Sequence, residues 1–488
     1  MEAEIIINSN GTIIKIDRAP VGIGYAADEE RLRTQGEDAF APDPEGLVLS
    51  RDWELYVEGQ AVPVYAAPIT NGGPLSFASL SFVGDPGSFN LIAKRRGSTD
   101  SAVIRPLSLG IEAKLVGQEI HIPVDRPAKI IVEANGNTER PLVITLHAKE
   151  EGAADPTDSK VKYYGPGLHK VSSFELQSGE SLYIAGGAVL QLYVPEDEAP
   201  VVASDWANKP NYVDFITAEQ AESIRIHGRG IIDMSMLDWH ARKAMLLTGC
   251  RDVSIEGLTI VGTSHWTVHL SNCVDSSIAD LTLIGYRENS DGIDIVNCER
   301  IQVTDCFIRT GDDAVAVKAM DAPPAIGGRD IYVSDCTVWN DKVRCFGIAG
   351  ETRTDISDVI FENCNVVHST AVWTEEVGSL CIVVGDRGTI SNIRFENITI
   401  EEERQHAMIC LIFKDRWSID QEPGQILNIT FRNIKIPEGT ASLFHGSDAS
   451  HIVDGVHIEG LVIGGKQAEM LENLPFKVNE FVKNLTVS

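Results

Sequence analysis

The sequence has no apolar run near the ~20 residues that a membrane-spanning helix needs, and its start, Met1 to Ile7, lacks a basic region followed by an apolar one. The expectation is a soluble, unexported, cytoplasmic chain, with a trimmed leader leaving no trace. Basic residues are also scarce: 41 Lys and Arg face 71 Asp and Glu, for a formal charge of −30. That balance works against nucleic-acid phosphates and anionic lipid surfaces, so neither nucleic acid nor membrane is expected as a partner. The nine cysteines all fall between Cys250 and Cys410, without a CxxC pair or a Cys/His cluster. That pattern argues against zinc and for free thiols packed in a core. Neither a metal nor a cofactor is expected, and oligomeric state leaves no mark in the sequence.

What is present is β-structure in two styles. At 488 residues with 43% hydrophobic content, the chain is long enough for two domains. From Glu4 to about Lys149, short alternating runs are broken by Gly, Pro and Asn. They open with a hairpin signal, Ile5 to Ile7 and Thr12 to Ile14 around Asn10-Gly11. Further runs are Trp53 to Tyr65, Leu75 to Val83, Ala113 to Ile122 and Lys129 to Ala134. This is the pattern of a β-sandwich. The acidic, apolar-poor stretch Glu150 to Gly167 reads as a junction, so we expect domains at 1–160 and 161–488.

Beyond the junction an internal repeat takes over: apolar-x-apolar-x-[Gly/Asp/Asn]-apolar-x-apolar. Its pivots are Gly257, Asp280, Asp305, Asp335, Asn363, Asn397, Asn433 and Gly460, spaced 23, 25, 30, 28, 34, 36 and 27 residues apart. A fixed unit with variable loops predicts a right-handed parallel β-helix, in which stacked coils put equivalent residues in ladders. Leucine-rich repeats share the period, but they need a Leu-rich strand and a helical turn that are missing here. Cys306, Cys336 and Cys364 hold one ladder position, and Cys250, Cys273 and Cys298 another; both are read as buried packing.

Two acidic clusters lie in loops between coils: Asn289-Ser290-Asp291-Gly292-Ile293-Asp294, and Arg309-Thr310-Gly311-Asp312-Asp313. Asp291 and Asp312 are 21 residues apart, nearly one coil, which stacks three carboxylates on one face. As turns these residues would need no further reason. Crowded like charges do need one, and glycoside hydrolysis supplies it: neighbouring charge keeps an acid protonated while a carboxylate activates water.

The segments NSDGID and GDDAVAVK resemble the NTDG(x)D and GDD(x)(x)A motifs of the polygalacturonase family, glycoside hydrolase family 28. Gly262 to His269 is similar to that family's Ser-Pro-x-Trp-x-x-His stretch, so the resemblance covers about residues 220 to 400. It implies an inverting hydrolase with Asp312 as general acid, and with Asp291 and Asp313 holding and activating water. Inversion implies carboxyls ~6.5–9.5 Å apart. Asp294, Trp266, His269 and Lys318, within the matched motifs, become candidates to bind a carbohydrate substrate.

Two departures bear on the substrate. The Gly-His-Gly motif aligns with Val343-Arg344-Cys345, and the Arg-x-Lys motif that grips a uronate aligns near Leu380 to Val384, where it is absent. Arg344, Glu351, Asp386 and Arg387 occupy comparable loops, either on sugar or in surface ion pairs. A sandwich ahead of the helix and a missing uronate grip resemble the dextranase and isopullulanase family, glycoside hydrolase family 49. The expected substrate is therefore a neutral α-linked poly- or oligosaccharide. The alternatives are a pectin hydrolase, or a β-helix lyase or fructotransferase. Trp239, Trp266, Tyr286, Trp373 and Trp417 are candidates to stack on sugar rings, or to pack.

Overall fold

The computed structural model describes residues 3–22, 43, 45–372, 374, 376–414, 417–468 and 474–488. Nearly everything described is β-structure, with a lone 3₁₀ turn at Leu107–Leu109. The N-terminal hairpin forms as Glu4–Ile7 paired antiparallel with Ile13–Ile16. It belongs to a seven-stranded sheet that faces a five-stranded one, and the alternating residues of both close around Ile14, Leu55, Leu80, Leu91, Ile122 and Ile144.

From Val161–Tyr164 onward the chain winds through three long sheets of twelve, twelve and eleven strands, neighbours pairing in parallel from coil to coil except for the antiparallel end pair Val462–Ile463 and Lys466–Gln467. This is the right-handed parallel β-helix on a β-sandwich that the repeat implies. The structure supplies the reason for the Gly/Asp/Asn pivots: all eight, from Gly257 (φ 80) to Gly460 (φ 66), sit in the left-handed region. Each ends a strand of the first sheet and turns the chain sharply into the second, a conformation that Asn, Asp and Gly adopt most cheaply. Between pivots, apolar residues point into one continuous core. Phe361, Phe395 and Phe431 stack there at 4.9 and 5.1 Å, nearly the strand spacing, with planes 7° and 5° apart. All nine cysteines are buried and free, as packing thiols would be.

The sandwich docks on the outer face of the second sheet. Tyr65, Phe77, Ile131 and Val143 meet Ile231, Ile284, Phe307 and Trp339 in a third apolar cluster. A polar knot lies beside it: Asp280 takes Lys129 and His147 from the sandwich and Arg229 from the helix.

Candidate active site

The site is built on the eleven-stranded sheet. Five successive strands of it are Met245–Thr248, Val268–Ser271, Ile293–Val296, Val315–Ala319 and Arg344–Thr352. Register-paired core residues near their starts are Met245, Val268, Ile293, Val315 and Phe346. Two positions ahead of each stand Lys243, Trp266, Asp291, Asp313 and Arg344, stacked as a ladder on the N-terminal rim. Backbone bonds from Thr267 to Asp291, Gly292 to Asp313 and Ala314 to Arg344, at 2.8, 2.9 and 2.9 Å, hold the register. A second ladder, three residues on from Trp266 and Asp291, turns His269 and Asp294 outward from the same sheet.

The stacking brings three aspartates together: one carboxylate oxygen each from Asp291, Asp312 and Asp313 lies within 4.8 Å of the others. Side chains one coil apart start from backbones only ~4.8 Å apart, so such closeness follows from the stacking. Glycine permits the approach, since a Cβ on Gly292 would come within 2.4 Å of the Ala314 carbonyl and one on Gly311 within 2.6 Å of that of Arg287. Asp312 is aimed by backbone N–H groups of Asn289 and Asp313, each 2.9 Å from its oxygens.

Cations are threaded between these acids. The Lys318 ammonium lies 3.1 Å from Asp291, 2.7 Å from Asp294 and 3.9 Å from the centre of the Trp266 ring. Arg344 reaches Asp313 at 3.2 Å and the Glu376 carbonyl at 3.3 Å. Burial and the Asp313 charge push Asp312 up to about 6. Burial also lifts Asp294 to about 6, against the pull of Lys318. It holds Asp291 well above the usual carboxylate range, with Asp294, Asp312 and Asp313 adding to the effect. Glu351 faces Lys318, Asp313 and Arg344 and is raised mainly by burial. The cluster thus retains a proton near neutral pH, while Asp313 keeps a guanidinium beside it. It is also the one group of three acids among the described residues spaced to hold a cation, and the Lys318 ammonium already brings positive charge there.

Lys243 went unnoticed in the sequence. Its ammonium lies 3.0 Å from Nδ1 of His269, whose Nε2 is buried without a partner, as is Nε1 of Trp266. An ammonium only donates, so Nδ1 accepts and the ring proton sits on Nε2, facing the site as a free donor. The signal that finds Lys243 is its ladder position, two residues ahead of a core-facing strand start.

Two expected contacts are corrected. Asp386 is fully buried, and its Oδ1 accepts the N–H groups of Ile419 and Asp420 at 2.6 and 2.8 Å. Arg387 pairs with Asp420. Both follow the strand Gly378–Val384, on the C-terminal rim opposite the aspartates, and fasten a loop there. Among the aromatics, Tyr286 is buried and gives its carbonyl to Thr70 of the sandwich at 2.7 Å. Trp239 donates to the Glu288 carbonyl at 2.8 Å, and Trp373 lies outside the described residues.

Residues 203–480 match the family model described as Glycosyl hydrolases family 28. A probable polygalacturonase of Arabidopsis thaliana is 28% identical over 161 residues, 31% of this chain, and the chain spans only 34% of that relative's length. Among solved structures, Dex49A from Penicillium minioluteum superposes with a TM-score of 0.63 at 14% identity, covering 100% of both chains. A hyperthermoactive exopolygalacturonase from Thermotoga maritima gives 0.51 at 16% identity over 67% of this chain and 83% of its own. At such identities these likenesses speak for the fold.

Proposed function

The chain belongs to glycosyl hydrolases family 28, and from that premise we propose that it hydrolyses α-glycosidic bonds of a neutral poly- or oligosaccharide, with inversion at the anomeric carbon. The observation that carries the reading is the trio Asp291, Asp312 and Asp313, one oxygen of each within 4.8 Å of the others, with the Arg344 guanidinium 3.2 Å from Asp313. Asp312, raised to about 6, donates its proton to the leaving oxygen. A water hydrogen-bonded to Asp291 and Asp313 suits their separation, because two ~2.8 Å hydrogen bonds at a near-tetrahedral angle span such a gap. Asp313 takes the water's proton as its oxygen attacks the anomeric carbon and the glycosidic bond breaks.

The preference for a neutral sugar draws on charge. Lys318 is spent on Asp291 and Asp294, Arg344 on Asp313 and Arg387 on Asp420. The outer face beyond the aspartates carries Cys381, Val383, Ile409 and Leu411, all apolar. A uronate there would meet Asp291, Asp294, Asp312, Asp313 and Glu351 against one ammonium without a carboxylate pair, that of Lys243, which is turned to His269 at 3.0 Å. A buried carboxylate without its cation costs about 3–5 kcal/mol, or two to four orders of magnitude. The test compares kcat/KM on polygalacturonate and on neutral α-glucans at equal ionic strength; preference for the uronide overturns the neutral reading. Hydrolysis of polygalacturonate is the second reading, favoured by the name of the Arabidopsis relative. Proton NMR of the first-formed anomer tests inversion against retention.

A further inference from the structure

Segments from opposite rims of the site sheet meet above it. The first, residues 193–215, enters the N-terminal rim, where Asp205 pairs with His240. The Trp206 ring lies 5.2 Å from that of His240 and 6.2 Å from that of Trp239. His240 Nε2 in turn sits 3.1 Å from the Asn289 side chain, whose backbone N–H holds Asp312 at 2.9 Å. Trp206 is therefore linked to Asp312 through two intervening residues.

The second segment leaves the C-terminal rim after the strand His406–Ile412. Asp386 fastens Ile419 and Asp420, and Phe413 packs on the apolar cluster of Cys381, Val383, Ile409, Leu411 and Leu443. Yet Trp417 of this segment contacts Trp206, with ring centroids 5.5 Å apart and planes at 75°. Four strands separate the strand next to His240 from the strand next to Asp386, which makes about 24 Å of ladder at ~4.8 Å per step. Those four strands carry or adjoin the aspartates, His269, Asp294, Lys318 and Arg344. A contact rooted on both rims must cross over them. Asp291, Asp294, Asp313 and Lys318 show what lies beneath it: they face away from the core, yet are 2, 0, 4 and 3% exposed.

We propose that the Trp206–Trp417 contact roofs the groove and restricts the enzyme to cutting at chain ends. An open groove accepts any internal stretch of a polymer, whereas a roofed one admits only a free end. The two indoles, 55 and 40% exposed, offer apolar faces at the mouth to the C–H face of an entering sugar ring. This rests on the glycosidase reading above for the reaction, though not for the contact itself.

Two measurements test it. The first needs no substrate: in a Trp206→Cys, Trp417→Cys double variant, a short bis-maleimide should join the added thiols, since the nine native cysteines are buried. One linker consumed per chain with both new thiols blocked is the expected mass; two separate adducts overturn the roof. The second follows viscosity against reducing ends released, on whichever of polygalacturonate, dextran and pullulan the wild type cuts fastest. Wild type should release ends with little loss of viscosity, and Trp417→Ala should lower viscosity severalfold more per end released. A wild type that thins the polymer as steeply as Trp417→Ala refutes end-cutting. Inactivity on every polymer counts against the substrate reading, and the crosslink then decides the roof alone.

Discussion

A general acid works only if it still holds its proton at the pH where the enzyme acts. In the proposed mechanism Asp312 meets that need, because burial and Asp313 raise it to about 6, so kcat/KM should fall as pH climbs past that value. Asp312→Asn keeps the shape without the acid and should lower kcat by about 10²–10⁴-fold. Stability should move the other way. A carboxyl raised in the folded state favours the fold below its ordinary 3.8 and loses that advantage as pH rises to about 6. The variant should therefore melt higher than wild type at pH 7 and level with it near pH 4, by calorimetry. His269 is the neutral counterpart: burial first, then Lys243, Lys318 and His265 hold its protonation well below the ordinary range. With Lys243→Met the ring should protonate at higher pH, and its Nδ1 is freed to take the proton. The acid limb of 1/KM should shift upward, with Lys243→Gln, which still donates, shifting less. The aspartates were legible in the sequence because each motif is contiguous and carries its own glycine. Lys243 was not, since only the stacking of coils sets its place beside His269.

At the scale of the strand and turn, the repeat was readable because two local rules coincide in it: alternation every second residue, and a left-handed pivot that few residue types tolerate. Asn363, at φ 54, is such a pivot. Asn363→Ala should cost about 1 kcal/mol in urea unfolding, whereas Asn363→Gly should be near neutral, because the penalty lies in the Cβ. Equal losses in both would mean that the amide side chain is what matters. The sandwich was less legible. Asn137–His147 begins with half-exposed polar residues and contains Pro141, and its neighbour in the sheet, Leu75–Phe82, is more than fifty residues away. Trp53 to Tyr65 reads as one run in sequence, yet Glu58 (φ 47) and Gly59 (φ 79) turn it back as a hairpin of Trp53–Val57 and Gln60–Val62. Local pattern marks strands well, but Glu-Gly is a weaker hairpin signal than Asn-Gly or Asp-Gly.

For the molecule as a whole, the question is what keeps the sandwich seated on the helix, and Asp280 answers much of it. In the sequence it is one pivot among eight, and it does adopt φ 54. Nothing local marks its second role, because its partners Lys129, His147 and Arg229 come from distant segments. Burial raises Asp280, but His147, Lys129 and Arg229 outweigh it and hold the carboxyl well below its ordinary range. His147 is itself lowered by burial, so it stays neutral and its Nδ1, 2.7 Å away, donates to the carboxylate. A depressed carboxyl stabilises the fold above its unfolded value of 3.8, and that contribution fades as pH falls below it. Asp280→Asn isolates this role, since Asn serves the left-handed turn equally well at the neighbouring pivots. Removing the charge leaves Lys129, 5% exposed, with only Asp305 at 3.2 Å. The expected loss at pH 7 is about 3–5 kcal/mol, as for other broken buried pairs. Wild type and variant should converge only as the pH falls from 3.8 through the depressed folded-state value of Asp280, where the wild-type carboxylate is neutralised too. Equal melting temperatures at pH 7 would mean that Asp280 serves only the turn, and that the apolar cluster of Tyr65, Phe77, Phe307 and Trp339 holds the domains together without it.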